Sequence, residues 1–313
     1  MAKYVFGVDI GGTTVKIGLF TTDGVLTEKW EIHTRIDEGG KFILSDIAES
    51  IENKLSDMGI AKDDVAGIGM GVPGPVKSDG TVLRCVNLGW GVFNAAEELS
   101  NIIGLPVTAG NDANMAALGE MWQGGGKGYK DIVMVTLGTG VGGGIILDGK
   151  MLSGVNGAGG EIGHMQVSDT ETEVCGCGKK GCLEQYTSAT GIVRSANIAI
   201  SNTDKPSVLR EVQYISAKEV FDAAKKGDEL AAQLVENHGK CLGKALAQIA
   251  CVVDPEVFVI GGGVSKAGEI ITDTTEKYFQ EYAFHACKKT QFKLATLGND
   301  AGMYGGACAI LNK

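Results

Sequence analysis

"DIVMVTLGTGVGGGIILDGK", residues 131–150, reads as an apolar strand from Ile132 to Leu137, a glycine turn, a second strand from Gly144 to Leu147, and a closing Asp-Gly turn. The same order occurs near the start of the chain. There Tyr4 to Val8 forms the apolar run, "DIGGTT" the turn, "VKIGLF" the second strand and "TTDG" the closure. One pattern met twice, separated by most of a domain, predicts two related α/β halves.

The segments around these repeats fit that plan. Ile47, Ile51 and Leu55 recur every four residues on a helical stripe, and "VAGIGMGVPGPV" then reads as a buried strand entering a loop. "NAAEELSNIIG" predicts a short helix ending at Gly104, and "LPVTAGNDANMAALGEMW" a strand feeding a helix. Ser216 and Glu219 have capping-box spacing, a long helix follows from Glu229 to about Val253, and a last one starts near Ala301. Between these, "PEVFVIGGGVS" and "QFKLAT" supply two more strands. Strands alternating with helices predict an α/β protein with a largely parallel sheet in each half.

Composition narrows the function. The chain has 313 residues, enough for two domains with a large core. Its net charge is −10 and no Lys/Arg stripe offsets phosphate repulsion, which argues against nucleic-acid binding. No apolar run approaches the roughly 20 residues of a membrane span, and no membrane association is expected. The strand pattern opening at Tyr4 leaves no room for a signal peptide, so the expected location is cytoplasmic. Cys85, Cys241, Cys251, Cys287 and Cys308 are scattered through apolar or helical contexts and read as inert core thiols.

Three features carry chemistry. "VCGCGKKGCLEQY", residues 174–186, brings three cysteines into a short span, and His164, eleven residues before Cys175, could complete a tetrahedral zinc set; a redox pair is the alternative. "DIGGTT" and "LGTGVGGG" are glycine turns whose backbone N–H groups could cradle phosphate oxygens, and neither has P-loop spacing. Asp112, in "GNDANMAA", stands at a strand-to-helix junction, where it is either a catalytic base or simply the helix cap.

In order along the chain, "DIGGTT", "GVPGPV", "NDANMAALGE", "LGTGVGGGI", "GGEIGH" and "CGCGKKGCLE" resemble the bacterial sugar kinases of the ROK family (repressor, open reading frame, kinase), most closely its ATP-dependent glucokinases. The resemblance runs from about Val5 to Ala309. It implies the actin/hexokinase-type fold, a duplicated pair of ribonuclease-H-like domains with an interdomain cleft. On that plan residues 1–110 with 301–313 form a small domain, and 111–300 a large one carrying a zinc knot at 164–182. The resemblance assigns structural zinc to His164, Cys175, Cys177 and Cys182. It assigns the sugar to Asn87, Asn111, Asp112, Glu161, His164 and Glu184, with Asp112 as the base that takes the proton of the attacking hydroxyl. ATP falls to Asp9, Gly11, Gly12, Thr13 and Thr14 in one turn, Gly138, Thr139, Gly140 and Gly142 in the other, and Gly262 and Gly263 beyond them. Asp9 would orient Mg²⁺.

The implied reaction is transfer of the γ-phosphate to the 6-hydroxyl of glucose, with another hexose (mannose, fructose or an N-acetylated amino sugar) as the alternative, and a homodimer as the implied assembly. Thr14 departs from the family: many relatives have lysine there, and here Lys16 lies two positions on, which leaves the phosphate-pairing residue open. A sugar-responsive regulator of the same family would carry a helix-turn-helix domain ahead of the first strand, which here begins by Tyr4. An actin-like ATPase would have no use for Asp112, Glu161 and Glu184 together with a metal knot. His33, His238 and His285 fall in no motif and read as structural or surface residues, and Met115, Met121 and Trp122 as core.

Overall fold

The computed structural model describes residues 2–312. The first half lays down β1 (Tyr4–Ile10), β2 (Thr14–Thr21), β3 (Leu26–His33), β4 (Val65–Val72), a short pair β5 (Thr81–Val82) and β6 (Phe93–Asn94), and β7 (Val107–Asn111). The second half follows with β8 (Ile132–Leu137), β9 (Val141–Leu147), β10 (Lys150–Met151), β11 (Val257–Gly261) and β12 (Gln291–Leu294). The two large sheets have the orders β3-β2-β1-β4-β7 and β10-β9-β8-β11-β12. Each places its glycine hairpin on one side and two parallel strands on the other, so the repeat seen in the sequence is a repeat of topology. Neither sheet is all parallel. β1, β2 and β3 are antiparallel, because a tight glycine turn can only return the chain alongside itself. β1, β4 and β7 are parallel, as are β8, β11 and β12.

Helices form where the apolar spacing predicts them. Ile47, Ile51 and Leu55 are buried on the helix Ile43–Met58, which Gly59 ends in the left-handed region. Asn94 caps the helix Ala95–Ile103, and Ser216 and Glu219 form a complete capping box on Ala217–Lys225. The long helix spans Glu229–Val253. No helix among the described residues is long and apolar enough to cross a membrane.

The chain forms two compact units. One comprises Met1–Lys130, Gly144–Gly160 and Thr296–Lys313, and the other Asp131–Gly143 and Glu161–Ala295. This division differs from the expected boundary after residue 110. The helix Asp112–Gln123 packs on the helix Ala301–Leu311, inside the first unit. The reason is the absence of side chains at the crossing: a Cβ on Gly119 would strike the Ala301 carbonyl, and one on Gly305 the Met115 carbonyl. Two helices that approach to backbone contact behave as one body.

Candidate active site

Asp112 is not the cap of its helix. Asn111 is: its side-chain oxygen accepts from the Asn114 N–H at 3.1 Å, while its amide donates to the Gly74 carbonyl at 3.1 Å and to Asp112 Oδ1 at 2.9 Å. Asp112 Oδ1 also accepts the Ala113 N–H at 2.8 Å. The capping reading of Asp112 is therefore corrected by one position, because β7 ends at Asn111 with the extended backbone a cap requires. Burial raises the Asp112 carboxyl above its ordinary value, against those hydrogen bonds.

Asp9, at the end of β1, lies near it. Its carboxyl is pushed up to about 6, first by burial and then by the charge of Asp112, with Lys16 opposing and Asp300 adding. Lys16 stands directly across from Asp9 in the β1–β2 register, and its Nζ donates to the Asn299 carbonyl at 2.9 Å. The turn between those strands is closed by the Gly11 N–H on the Thr14 carbonyl at 3.0 Å, and Gly12 and Thr13 are exposed at its tip. Asn87 is exposed on the short turn Val86–Leu88 of the same unit.

In the second unit, ligand atoms of His164, Cys175, Cys177 and Cys182 lie within 4.8 Å of one another. Cys177 Sγ and Cys182 Sγ are 3.5 Å apart, and Cys175 Sγ is 3.7 Å from His164 Nδ1. Zinc–sulfur bonds of about 2.3 Å in a tetrahedron give sulfur separations only slightly larger, so one imidazole and three thiols at these distances suit zinc. Since His164 Nδ1 faces the sulfurs, Nε2 is left toward Glu161, 4.0 Å away. Cys175 Sγ also lies 2.9 Å from Glu184 Oε1, which places that carboxylate beside the cluster. Of the other five cysteines, Cys85, Cys287 and Cys308 are buried and Cys241 is half-buried, whereas Cys251 is exposed, contrary to its reading as a core thiol.

The glycine turn at 138–140 belongs to this unit. The Gly138 N–H donates to the Gly140 carbonyl at 3.0 Å, and the helix Ala189–Asn202 anchors the turn through the Ala189 N–H and the Thr190 hydroxyl. Gly142 is half-buried in β9 just beyond. Gly140 faces Glu184: a Cβ there would sit 2.8 Å from Oε2. Gly262, expected only as a cleft lining, has φ 83° and lies against the Leu137 backbone, so the fold itself requires glycine; Gly263 is open.

Glu120 has no place in the sequence reading, and His238, read there as structural or surface, is structural. Glu120 is fully buried, and its carboxylate accepts the N–H groups of Gly125 at 2.7 Å, Thr296 at 3.0 Å and Leu297 at 2.9 Å. His238 is buried and neutral, its pKa lowered to about 4 by desolvation, and its Nε2 meets the Thr187 carbonyl at 3.1 Å, at the end of the short helix that starts with Glu184. The capping box and the apolar stripes could be read locally; these two could not.

The duplicated sheet, with a half-buried carboxylate pair in one unit and a metal-ligating cluster in the other, is the plan of an actin/hexokinase-type sugar kinase. The ROK family model matches residues 5–313, and the chain belongs to the ROK family. Among similar proteins, the glucokinase of Halalkalibacterium halodurans is 43% identical over 98% of this chain and 95% of its own length. The N-acetylgalactosamine kinase AgaK of a Shewanella species is 33% identical over 96% of this chain and 95% of its own. The crystal structure of a ROK family glucokinase from Streptomyces griseus, in complex with glucose and AMPPNP, superposes with a TM-score of 0.73 at 34% identity, covering 97% of this chain and 98% of that one.

Proposed function

We propose that this protein is an ATP-dependent glucokinase, transferring the γ-phosphate of ATP to the 6-hydroxyl of glucose. The observation that carries the reading is the freedom of Asp112. Asn111 does the capping, the hydrogen bonds to the Asp112 carboxylate fall on Oδ1, and burial makes the group a better proton acceptor than an exposed aspartate. In this reading Asp112 takes the proton of the attacking hydroxyl. Asn87, Asn111, Glu161, Glu184 and His164 Nε2 hold the other sugar hydroxyls, since carboxylates and neutral imidazole pair well with vicinal O–H groups.

Phosphoryl transfer rests on positioning and charge neutralisation. Asp9 serves there by orienting Mg²⁺, and the backbone at Gly11–Thr14 and Gly138–Gly140, with Gly142, receives phosphate oxygens. Gly262 and Gly263 line the nucleoside. Lys16, already bonded to the Asn299 carbonyl, is poorly suited to be the phosphate-pairing residue, which leaves that work to backbone N–H groups and Mg²⁺. Zinc on His164, Cys175, Cys177 and Cys182 would act structurally, a closed four-ligand set with no open position for water. The protein works in the cytoplasm as a homodimer. A coupled ATP-turnover assay over glucose, mannose, fructose, N-acetylglucosamine and N-acetylgalactosamine tests the proposal. Glucose should give the highest kcat/KM; preference for an N-acetylated sugar would move the chain toward the AgaK activity, and no stimulation by any sugar would refute the kinase reading.

A further inference from the structure

Ten residues separate His164 from Cys175; three of them, Met165, Val167 and Val174, are apolar, and Val174 is exposed. Hydrophobic packing therefore does little to fix where the segment holds Cys175. Backbone bonds from Val167 to the Gly181 carbonyl at 2.7 Å and from Cys175 to the Lys179 carbonyl at 2.8 Å hold its ends, and one carboxylate braces the stretch between. Glu171 Oε1 accepts the N–H groups of Thr172 at 2.9 Å and Glu173 at 3.0 Å, folding the chain into a turn just ahead of Cys175. Its other oxygen, Oε2, accepts Arg194 Nη2 at 2.5 Å and the Tyr186 hydroxyl at 2.8 Å. Arg194 Nη1 reaches Glu173 Oε2 at 2.9 Å, and Gln185 Nε2 donates to the Glu173 carbonyl at 3.1 Å. The guanidinium sits over the Tyr186 ring at 5.4 Å.

The partners on the far side of these bonds are informative. Tyr186 and Gln185 lie in the short helix Glu184–Thr187, and Gln185 Oε1 also accepts the Cys182 N–H at 3.1 Å. Arg194 lies on the next helix, Ala189–Asn202, whose first residue anchors the Gly138 turn. Arg194 thus ties the segment carrying Cys175 to its own helix, and Tyr186 and Gln185 tie the same two glutamates to the helix that begins with Glu184. The Glu171 side chain is only 8% exposed and that of Arg194 21%, so this pair is largely shielded from solvent, whereas Glu173 lies at the surface.

We propose that Arg194 is a positioning residue: by clamping Glu171 and Glu173 it holds Cys175 in register for the metal and Glu184 in register for the sugar, before either is bound. This deepens the kinase reading given above and rests on it only for the sugar. Lysine cannot replace the arginine, because a single ammonium cannot span both carboxylates.

The test uses zinc-loaded full-length protein, with Arg194→Gln, Arg194→Lys and Tyr186→Phe, and with Lys277→Gln as a control that breaks an ion pair to Glu236 elsewhere in the same unit. Zinc affinity is read by equilibrium transfer to a chromophoric chelator, and KM is read separately for hexose and ATP. Both Arg194 variants should lose zinc affinity roughly 10–100-fold, as removal of outer partners of metal ligands commonly does, and raise the hexose KM while the ATP KM and thermal midpoint match Lys277→Gln. Tyr186→Phe, which removes one hydrogen bond and keeps the ring, should shift zinc affinity in the same direction by a few-fold, and it answers the question even if the arginine variants fail to fold. Unchanged zinc affinity in Tyr186→Phe and in any folded Arg194 variant overturns the proposal, as does full rescue by lysine. If no hexose supports turnover in the parent protein, the kinase reading fails while the zinc measurement still decides the clamp.

Discussion

Asp9 and Asp112 face one glycine: a Cβ built on Gly71 would lie 3.6 Å from Asp9 Oδ1 and 3.6 Å from the Asp112 Cα. Strand β4 supplies that glycine between the strand that ends near Asp9 and the helix that begins with Asp112. Burial makes both carboxylates harder to ionise, the charge of Asp112 adds to the effect on Asp9, and magnesium with a nucleotide would offset it.

Replacing Asp112 by asparagine should keep the helix start intact, because Asn111 makes the cap. Turnover should fall by roughly 10²–10⁴ with sugar affinity largely retained, as expected for loss of a general base. Initial rates and glucose titration by calorimetry check this; near-normal kcat would remove Asp112 from its role.

Asp9 gives a pH signature. The folded state holds its proton more tightly than the unfolded chain, with the carboxyl at about 6 against an ordinary 3.8. Its contribution to stability is therefore fully present below about 3.8 and is lost as the pH rises through about 6. At pH 7.5 without nucleotide, Asp9→Asn should stabilise the protein by up to about 3 kcal/mol while impairing catalysis, and the gain should vanish near pH 3.5. Urea melts at both pH values decide it. An Asp9→Asn protein no more stable than the parent at pH 7.5 contradicts the assignment.

The two glycines of the second turn should part company. Gly138 has open space where a Cβ would go, whereas Gly140 would press a Cβ against Glu184 Oε2. Gly140→Ala should raise the glucose KM more than the ATP KM, and Gly138→Ala should leave the glucose KM unchanged. Gly138→Val should weaken ATP binding in a folded protein if phosphate oxygens approach that backbone. Equal behaviour of the two alanine variants would count against the Gly140–Glu184 contact.

Metal analysis of protein purified without chelator should find one zinc per chain, and Cys177→Ser should lose it. Cys177 is exposed while the large cores lie elsewhere, so the variant should stay folded by circular dichroism and bind glucose weakly but ATP nearly as before. A zinc-free variant with full glucose affinity would sever the metal from the sugar site.

What the sequence disclosed was local. The glycine hairpins, the capping box at Ser216, the stop at Gly104 and the cysteine spacing each depend on residues within a turn or two of one another, and each appears where expected. The order in which the strands pair, the clamp on Glu171 and the bonds of Glu120 depend on partners far away in sequence. Arg194 and Glu171 are 23 positions apart, Glu120 and Leu297 are 177 apart, and no periodicity in a window reports them. The assignment of Asp112–Gln123 to the first unit was hidden for the same reason. It depends on Gly119 and on Gly305 of the last helix, whose neighbours lie far away along the chain.

That last helix bears on how the protein is made. Ala301–Leu311 lies against β1, β4 and the helix Asp112–Gln123, and its Gly302 leaves just the room that Asp9 occupies. A nascent chain that has released every strand of the first unit still lacks the element that covers them, and the whole second unit must emerge before it arrives. The first unit therefore cannot finish packing as a domain ahead of the second, as N-terminal domains ordinarily do. Until residues 301–311 are made, the face they cover stays open, and that is the interval in which a chaperone has most to protect.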